Sequence, residues 1–298
     1  MKIEVGQAED EGKIQTRQGI MRLFKFYIRY LWRFLNFYTK SSTIYDIHSP
    51  FVASFVRFVF LDDRVYYSFR GIEMLRALLL KNKYRIRIMD FGAGSRANPA
   101  QWREVRNIVR YGAVPARVGR LLFRAVLFVR PGNVLEMGTS LGISTLYLRL
   151  AGARKPFITM EGCPDTAAEA RNNLVRMGCG DVEVVVGPFS RMLPEVLRRY
   201  EQLDFLYLDG DHREGSSYAY FLSCLEKAGP QSVFVIADIH WSDEMEAAWA
   251  RMQAHPRVCA SLDNFHLGFL FFDRSIRSPV HFRYVPWYYK PWHSGIFH

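Results

Sequence analysis

Between Asn133 and Phe272 the chain alternates between short apolar runs and longer amphipathic ones. Strand-like segments over 133–137, 156–160, 182–186, 203–208 and 233–237 are separated by helix-like segments over 142–151, 164–177, 190–200 and 214–227, and another helix is expected over 242–254. Alternation of this kind implies a doubly wound, mostly parallel sheet with helices on both faces. Two further strands, 257–262 and 265–272, are joined by Asp263-Asn264, a turn that suits an antiparallel hairpin. The expectation is an α/β fold with a seven-stranded sheet, five strands parallel and a hairpin at the end.

The segment before this region reads differently. Residues 1–130 carry 24 Lys and Arg against 10 Asp and Glu, a net of +14, whereas the remainder is −3. Residues 1–130 are expected to form a basic, mainly helical extension, a lid or platform for substrate. Residues 131–275 form the sheet domain, and 276–298, aromatic and broken by proline, an irregular packed tail. The excess charge suits nucleic acid, a membrane, a phosphorylated substrate or simply a solvated face. Met21 to Tyr38 reads as a helix, with Arg22, Lys25, Arg29 and Arg33 spaced 3, 4 and 4 on one face. Such a helix suits peripheral membrane contact over 21–38, but packing on the domain is the commoner fate of its apolar side and is the favoured reading. Ser49-Pro50 is an N-cap followed by proline at the first helical position. Asn98-Pro99 is expected to open a helix by the same logic. No apolar run is long enough to span a bilayer, the first 20 residues lack an apolar signal core, and the four cysteines lie far apart. A cytoplasmic protein with reduced thiols is expected.

Two glycine loops compete as the place where backbone approaches a ligand. One is Asp90-Phe91-Gly92-Ala93-Gly94-Ser95, the other Glu136-Met137-Gly138-Thr139-Ser140-Leu141-Gly142. A nucleoside site needs a second strand ending in an acid some 20 residues on, for the ribose hydroxyls. Only the second loop has one, in Phe157-Ile158-Thr159-Met160-Glu161. That loop has no lysine and neither the dinucleotide nor the P-loop pattern. It carries instead an acid, Glu136, that suits a cationic ligand group. S-adenosylmethionine supplies an ammonium and a sulfonium.

The sequences LEMGTSLGIST, ITMEG, DFLYLDGDH and VFVIADIHW, in this order over 133–272, resemble the motifs of class I S-adenosylmethionine-dependent methyltransferases, and of small-molecule O-methyltransferases in particular. With the IHSPF segment at 47–51, the chain is also similar to a bacterial methyltransferase group of unspecified substrate. The resemblance implies a Rossmann-like fold. It further implies that Glu136, Gly138, Thr139, Ser140 and Gly142 hold the methionine end of the cofactor, with Glu161 and Gly162 at the ribose, Phe189 at the adenine, and Asp209 beside them.

Asp209, Asp211 and His212 end one expected strand, and Asp238 and His240 the next; the ends of adjacent parallel strands are where ligands bind. Methyl transfer to a hydroxyl needs alignment and removal of a proton, and histidine titrates in the right range. LDGDH is similar to the sequence of metal-dependent sugar O-methyltransferases. That resemblance implies magnesium at Asp209 and Asp238 and a general base at His212. Ala237 and Ile239 stand where these or the catechol-type enzymes carry another oxygen ligand. His240 orients substrate on one reading and is structural on the other, and Asp211 caps its loop or acts. The expected reaction is O-methylation of a small polar acceptor. The alternatives are RNA methylation using the basic half, and a degenerate cofactor-binding protein. The sequence leaves the oligomeric state open.

Overall fold

The computed structural model describes residues 24, 26–89, 101–153, 156–211, 213–273, 276 and 278–293. It comprises two units, 1–41 and 42–298. In the first, residues 26–39 form helix α1, on which Phe26 stacks on Tyr30 and Phe34 on Tyr38.

In the second unit, helices α2 (Pro50–Val59) and α3 (Tyr67–Leu79) precede a hairpin of β1 (Arg85–Ile88) and β2 (Gln101–Glu104), then α4 (Val105–Gly112) and α5 (Ala116–Val129). The sheet region follows: β3 (Val134–Met137), α6 (Ile143–Leu150), β4 (Phe157–Glu161), α7 (Pro164–Arg176), β5 (Glu183–Val186), α8 (Phe189–Arg198) and β6 (Leu203–Leu208). Next come α9 (Glu214–Leu225), β7 (Ala228–Ala237), α10 (Asp243–Gln253), β8 (Ala260–Asp263), β9 (Leu267–Phe271) and β10 (Val280–Arg283).

The sheet order is β10-β8-β9-β7-β6-β3-β4-β5. Strands β3 to β7 run parallel, and β9 lies antiparallel between β7 and β8. The Rossmann-like α/β expectation therefore holds, with one strand added. The tail contributes β10, parallel to β8, because Val280 to Arg283 can pair with the edge that β8 would otherwise leave open. A second difference lies at Gln101–Glu104. A helix was expected to run on from Asn98; residues 98–100 lie outside the described residues, and 101–104 instead pair antiparallel with β1.

Strands β3, β4, β6, β8 and β9 and the second half of β7 are buried on both faces. Phe205 and Tyr207 face a core built with α2, α3, α5 and α6, whereas Leu206 and Leu208 face one built with α8, α9 and α10. The Ser49 cap forms, its hydroxyl accepting from the Val52 amide at 3.5 Å, and α2 then buries Val52, Phe55, Val56 and Val59 completely. The Phe55 ring meets Phe269 and Phe271 of β9 edge-on at 5.2 and 5.0 Å. Helices α2, α3, α4 and α5 thus share a core with the sheet. Among the described residues no helix is long and apolar enough to cross a membrane.

Candidate active site

The turn after β3 fixes the floor of a cleft. Gly138 has φ +111°, and a Cβ on it would lie 2.2 Å from the Asp209 carbonyl oxygen, so the β3 and β6 ends meet at backbone distance. The Asp209 amide donates to Met137 O at 2.9 Å, and the Gly138 and Thr139 amides donate to Met160 O at 2.9 and 3.1 Å. Gly142, at φ +83°, caps α6. The cleft above this turn has a volume of about 1080 Å³ and opens at the carboxyl ends of β3, β4, β6 and β7.

Glu161, at the end of β4, lines it. Its Oε2 accepts from the Ser140 amide at 2.8 Å and its Oε1 from the Cys163 amide at 2.9 Å. Burial raises its pKa, against the amides of Cys163, Ser140 and Gly162. The β1–β2 hairpin docks alongside: Cys163 Sγ donates to Arg87 O at 3.2 Å, and the Arg87 amide donates to Asp165 at 3.1 Å. Gly162 and Phe189 also line the cleft, and a Cβ on Gly210 would lie 2.6 Å from the Phe189 ring.

On the opposite wall Asp209 accepts from the Tyr207 hydroxyl at 2.8 Å. Burial, then the Asp209 charge, pushes the Tyr207 pKa well above its ordinary value, so the phenol stays protonated and donates. Asp238, at φ +53°, lines the cleft beside it, its amide donating to His266 O at 2.8 Å. Asp211 is committed to Arg213 at 2.6 Å and accepts from the Tyr220 hydroxyl at 3.1 Å. His212 lies outside the described residues, between these two.

The structure separates three of the expected site residues from the cleft. Glu136 is fully buried beneath it, where its Oε2 accepts from the Thr145 and Thr159 hydroxyls at 2.5 and 2.7 Å. Burial pushes its pKa up to about 7, against the hydroxyls around it. Gly142 shapes the helix start without lining the cleft. His240 is also buried away from it. Its Nδ1 lies 2.6 Å from Glu246 Oε1 and its Nε2 2.9 Å from Asp263 Oδ2, and its ring stacks on Phe265. Burial lowers its pKa, but the Asp263 and Glu246 carboxylates outweigh that and raise it. With a carboxylate beside each ring nitrogen, the arrangement favours the imidazolium.

The donor set for a metal is small. Asp209 and Asp238 reach the cleft, while Ala237 and the buried Ile239 offer no side-chain oxygen. Among the described residues no group of three or more His, Cys, Asp or Glu converges as a metal site. Two carboxylates suit magnesium, which keeps several waters, and not a closed zinc site.

Sequence reasoning missed Tyr207, Arg117 and His266, all of which line the cleft. Tyr207 was detectable as the alternate position two residues before Asp209. Arg117 lay in an arginine-studded helix and His266 in a hairpin, with no spacing to mark either.

A family model described as a methyltransferase domain matches residues 135–239. Over 163 residues the chain is 33% identical to the catechol O-methyltransferase of Mycobacterium tuberculosis, covering 50% of this chain and 72% of that protein. A crystal structure of a candidate O-methyltransferase from Klebsiella pneumoniae aligns with a TM-score of 0.51 at 16% identity, covering 74% of this chain and 96% of that one, and shows the same fold. The chain belongs to the S-adenosylmethionine-dependent O-methyltransferases.

Proposed function

We propose that the cleft transfers the methyl group of S-adenosylmethionine to a hydroxyl of a small aromatic acceptor of the catechol class. One observation carries this reading: Asp209 and Asp238 stand at adjacent strand ends, in the same cleft as a Glu161 carboxylate already fixed by two amides. The relative of known activity, a catechol O-methyltransferase, supports the acceptor class.

Glu161 receives the ribose hydroxyls on the lone pairs that the amides leave, the Ser140 turn and Gly162 flank it, and Phe189 offers a ring face to the adenine. Gly138 keeps the turn close to Asp209, and Thr139, buried and hydrogen-bonded to Thr159 at 2.6 Å, holds it. Trp102, Tyr111 and Trp241 are exposed aromatics on the cleft lining and suit a planar acceptor. When bound, the cofactor supplies an electrophilic methyl on sulfur. His212, three residues after Asp209, takes the acceptor proton as the methyl leaves sulfur and S-adenosylhomocysteine departs, and Asp209 and Asp238 hold the acceptor; a magnesium ion on these two carboxylates would supply a Lewis acid for its hydroxyl. Mass spectrometry of catechol incubated with the protein and S-adenosylmethionine tests the reading: it requires a mono-O-methyl product. RNA in a parallel reaction tests the rival acceptor.

We also propose that helix α1 and the adjoining Phe24 dock on an anionic membrane surface. Phe24, Tyr27, Ile28, Leu31, Trp32 and Leu35 recur at helical spacing and all stand exposed, Trp32 by 66%. Residues 21–40 carry five Lys and Arg and no acid, which disfavours self-pairing and favours anionic lipid. Flotation with vesicles containing phosphatidylglycerol should carry the protein, and Trp32→Ala should reduce this; equal flotation with neutral vesicles, or none with either at about 50 mM salt, contradicts it.

A further inference from the structure

The acceptor side of the cleft holds cations that the proposed chemistry leaves unused. Arg85 on β1, Arg110 on α4 and Arg117 on α5 line it, and among the described residues none has a carboxylate partner. Several of the cleft's other charges are paired or held. Arg213 is paired with Asp211, Glu104 with Arg106, and Glu161 with backbone amides.

Arg85 donates to Trp102 O at 3.3 Å, whereas Arg117 is held by a side chain. Its Nη2 lies 2.8 Å from Nε2 of His266. A guanidinium only donates, so this ring nitrogen accepts and the ring proton sits on Nδ1. The backbone beneath is tied as well: His266 O accepts from the Asp238 amide, and the preceding Phe265 amide donates to Asp263 Oδ1 at 2.8 Å. The guanidinium is therefore set beside the Asp238 strand end by His266, and among the described residues one of its five N–H groups is engaged.

We infer that the acceptor carries a carboxylate which docks on Arg117, and that His266 is the positioning residue that holds this guanidinium. The inference rests on the O-methyltransferase reading of the cleft. Asp209 and Asp238 face the same space and disfavour a dianion there, whereas a planar monoanion matches one guanidinium fork.

Two acceptors that differ only in this group test it: catechol and 3,4-dihydroxybenzoate. A charge-assisted pair is worth roughly tenfold to a hundredfold. The wild type should prefer dihydroxybenzoate by about that factor in kcat/KM, mainly through KM. Arg117→Gln should bring the ratio to about one. His266→Ala should raise KM for dihydroxybenzoate, and His266→Asn, whose amide oxygen still accepts, should restore part of it. The same ratio in wild type and Arg117→Gln overturns the inference. So does a loss of S-adenosylmethionine affinity in Arg117→Gln by calorimetry, which would assign that arginine to the cofactor. If neither acceptor is methylated, the O-methylation reading fails separately. Calorimetric titration of benzoate into the S-adenosylhomocysteine-loaded protein then decides. Binding that weakens about tenfold in Arg117→Gln supports the inference, and absent or unchanged binding overturns it.

Discussion

Gly138 and Asp209 touch backbone to backbone: a single methyl on Gly138 would come within 2.2 Å of the Asp209 carbonyl oxygen. The turn after β3 and the strand end that carries Asp209 are thus held together at backbone distance. The obstacle is backbone, and φ is +111°, so no rotamer relieves it. Gly138→Ala should destabilise the fold by about 2–4 kcal/mol in urea unfolding. A cost under about 0.5 kcal/mol, the range of an ordinary surface substitution, would mean that the two strand ends are not locked together.

Glu161 makes two hydrogen bonds to backbone amides before any ligand arrives, so its orientation is set in advance. Glu161→Ala should weaken S-adenosylmethionine binding by about 1–3 kcal/mol in calorimetry. Asp90→Ala, in the rival glycine loop, should leave it nearly unchanged. The reverse pattern would transfer the cofactor to the first loop.

The Glu136 carboxyl, with a pKa of about 7 in the fold against 4.5 free, makes stability depend on pH. Its folded form prefers the proton, so the native state binds more protons than the unfolded one between these values. Stability is therefore highest at low pH within this window and falls as pH rises from about 4.5 to 7, by roughly 3 kcal/mol at most for this group. Glu136→Gln keeps an oxygen for Thr145 and Thr159 and cannot ionise. The variant should gain Tm at pH 8 and show a flatter profile between pH 5 and 8. A profile as steep as the wild type's would locate the titration elsewhere.

The sequence was most informative where a pattern repeats. Strand and helix alternation placed β3 to β9 within a few residues, because short apolar runs between amphipathic segments are what a mostly parallel sheet requires. The place of Glu161 on the cleft wall was legible because the carboxyl ends of parallel strands are where ligands bind. Glu136 and His240 were not: whether an acid or a histidine faces a cleft or lies beneath it depends on tertiary packing, on Thr145 and Thr159 in one case and Glu246 and Asp263 in the other. Strand β10 was hidden because Val280 to Arg283 gains its partner only from an edge formed elsewhere. Arg117 and His266 lie 149 positions apart, a separation no local spacing bridges.

The buried Asp263–His240–Glu246 group should behave as structure. Its His240 pKa is raised, so the stabilisation is fully present below the ordinary histidine value of 6.5 and is lost as pH rises through the folded value. His240→Gln leaves the Asp263 charge buried and should cost about 3–5 kcal/mol at pH 6 and less at pH 9. A variant as stable as the wild type at pH 6 would remove the imidazolium from this account.

His212 separates chemistry from binding, and its substitution is the most direct test of a working methyltransferase. A positioned general base contributes about 10²–10⁴-fold to rate. Transfer of isotope-labelled methyl from S-adenosylmethionine to catechol or 3,4-dihydroxybenzoate should fall by that factor in His212→Ala, while S-adenosylmethionine affinity stays within about threefold. Labelled O-methyl product from the wild type, nearly abolished in the variant with its cofactor still bound, is the predicted result. Equal turnover by both proteins would take His212 out of the mechanism, and no labelled product from the wild type with either acceptor would contradict methyl transfer to this acceptor class.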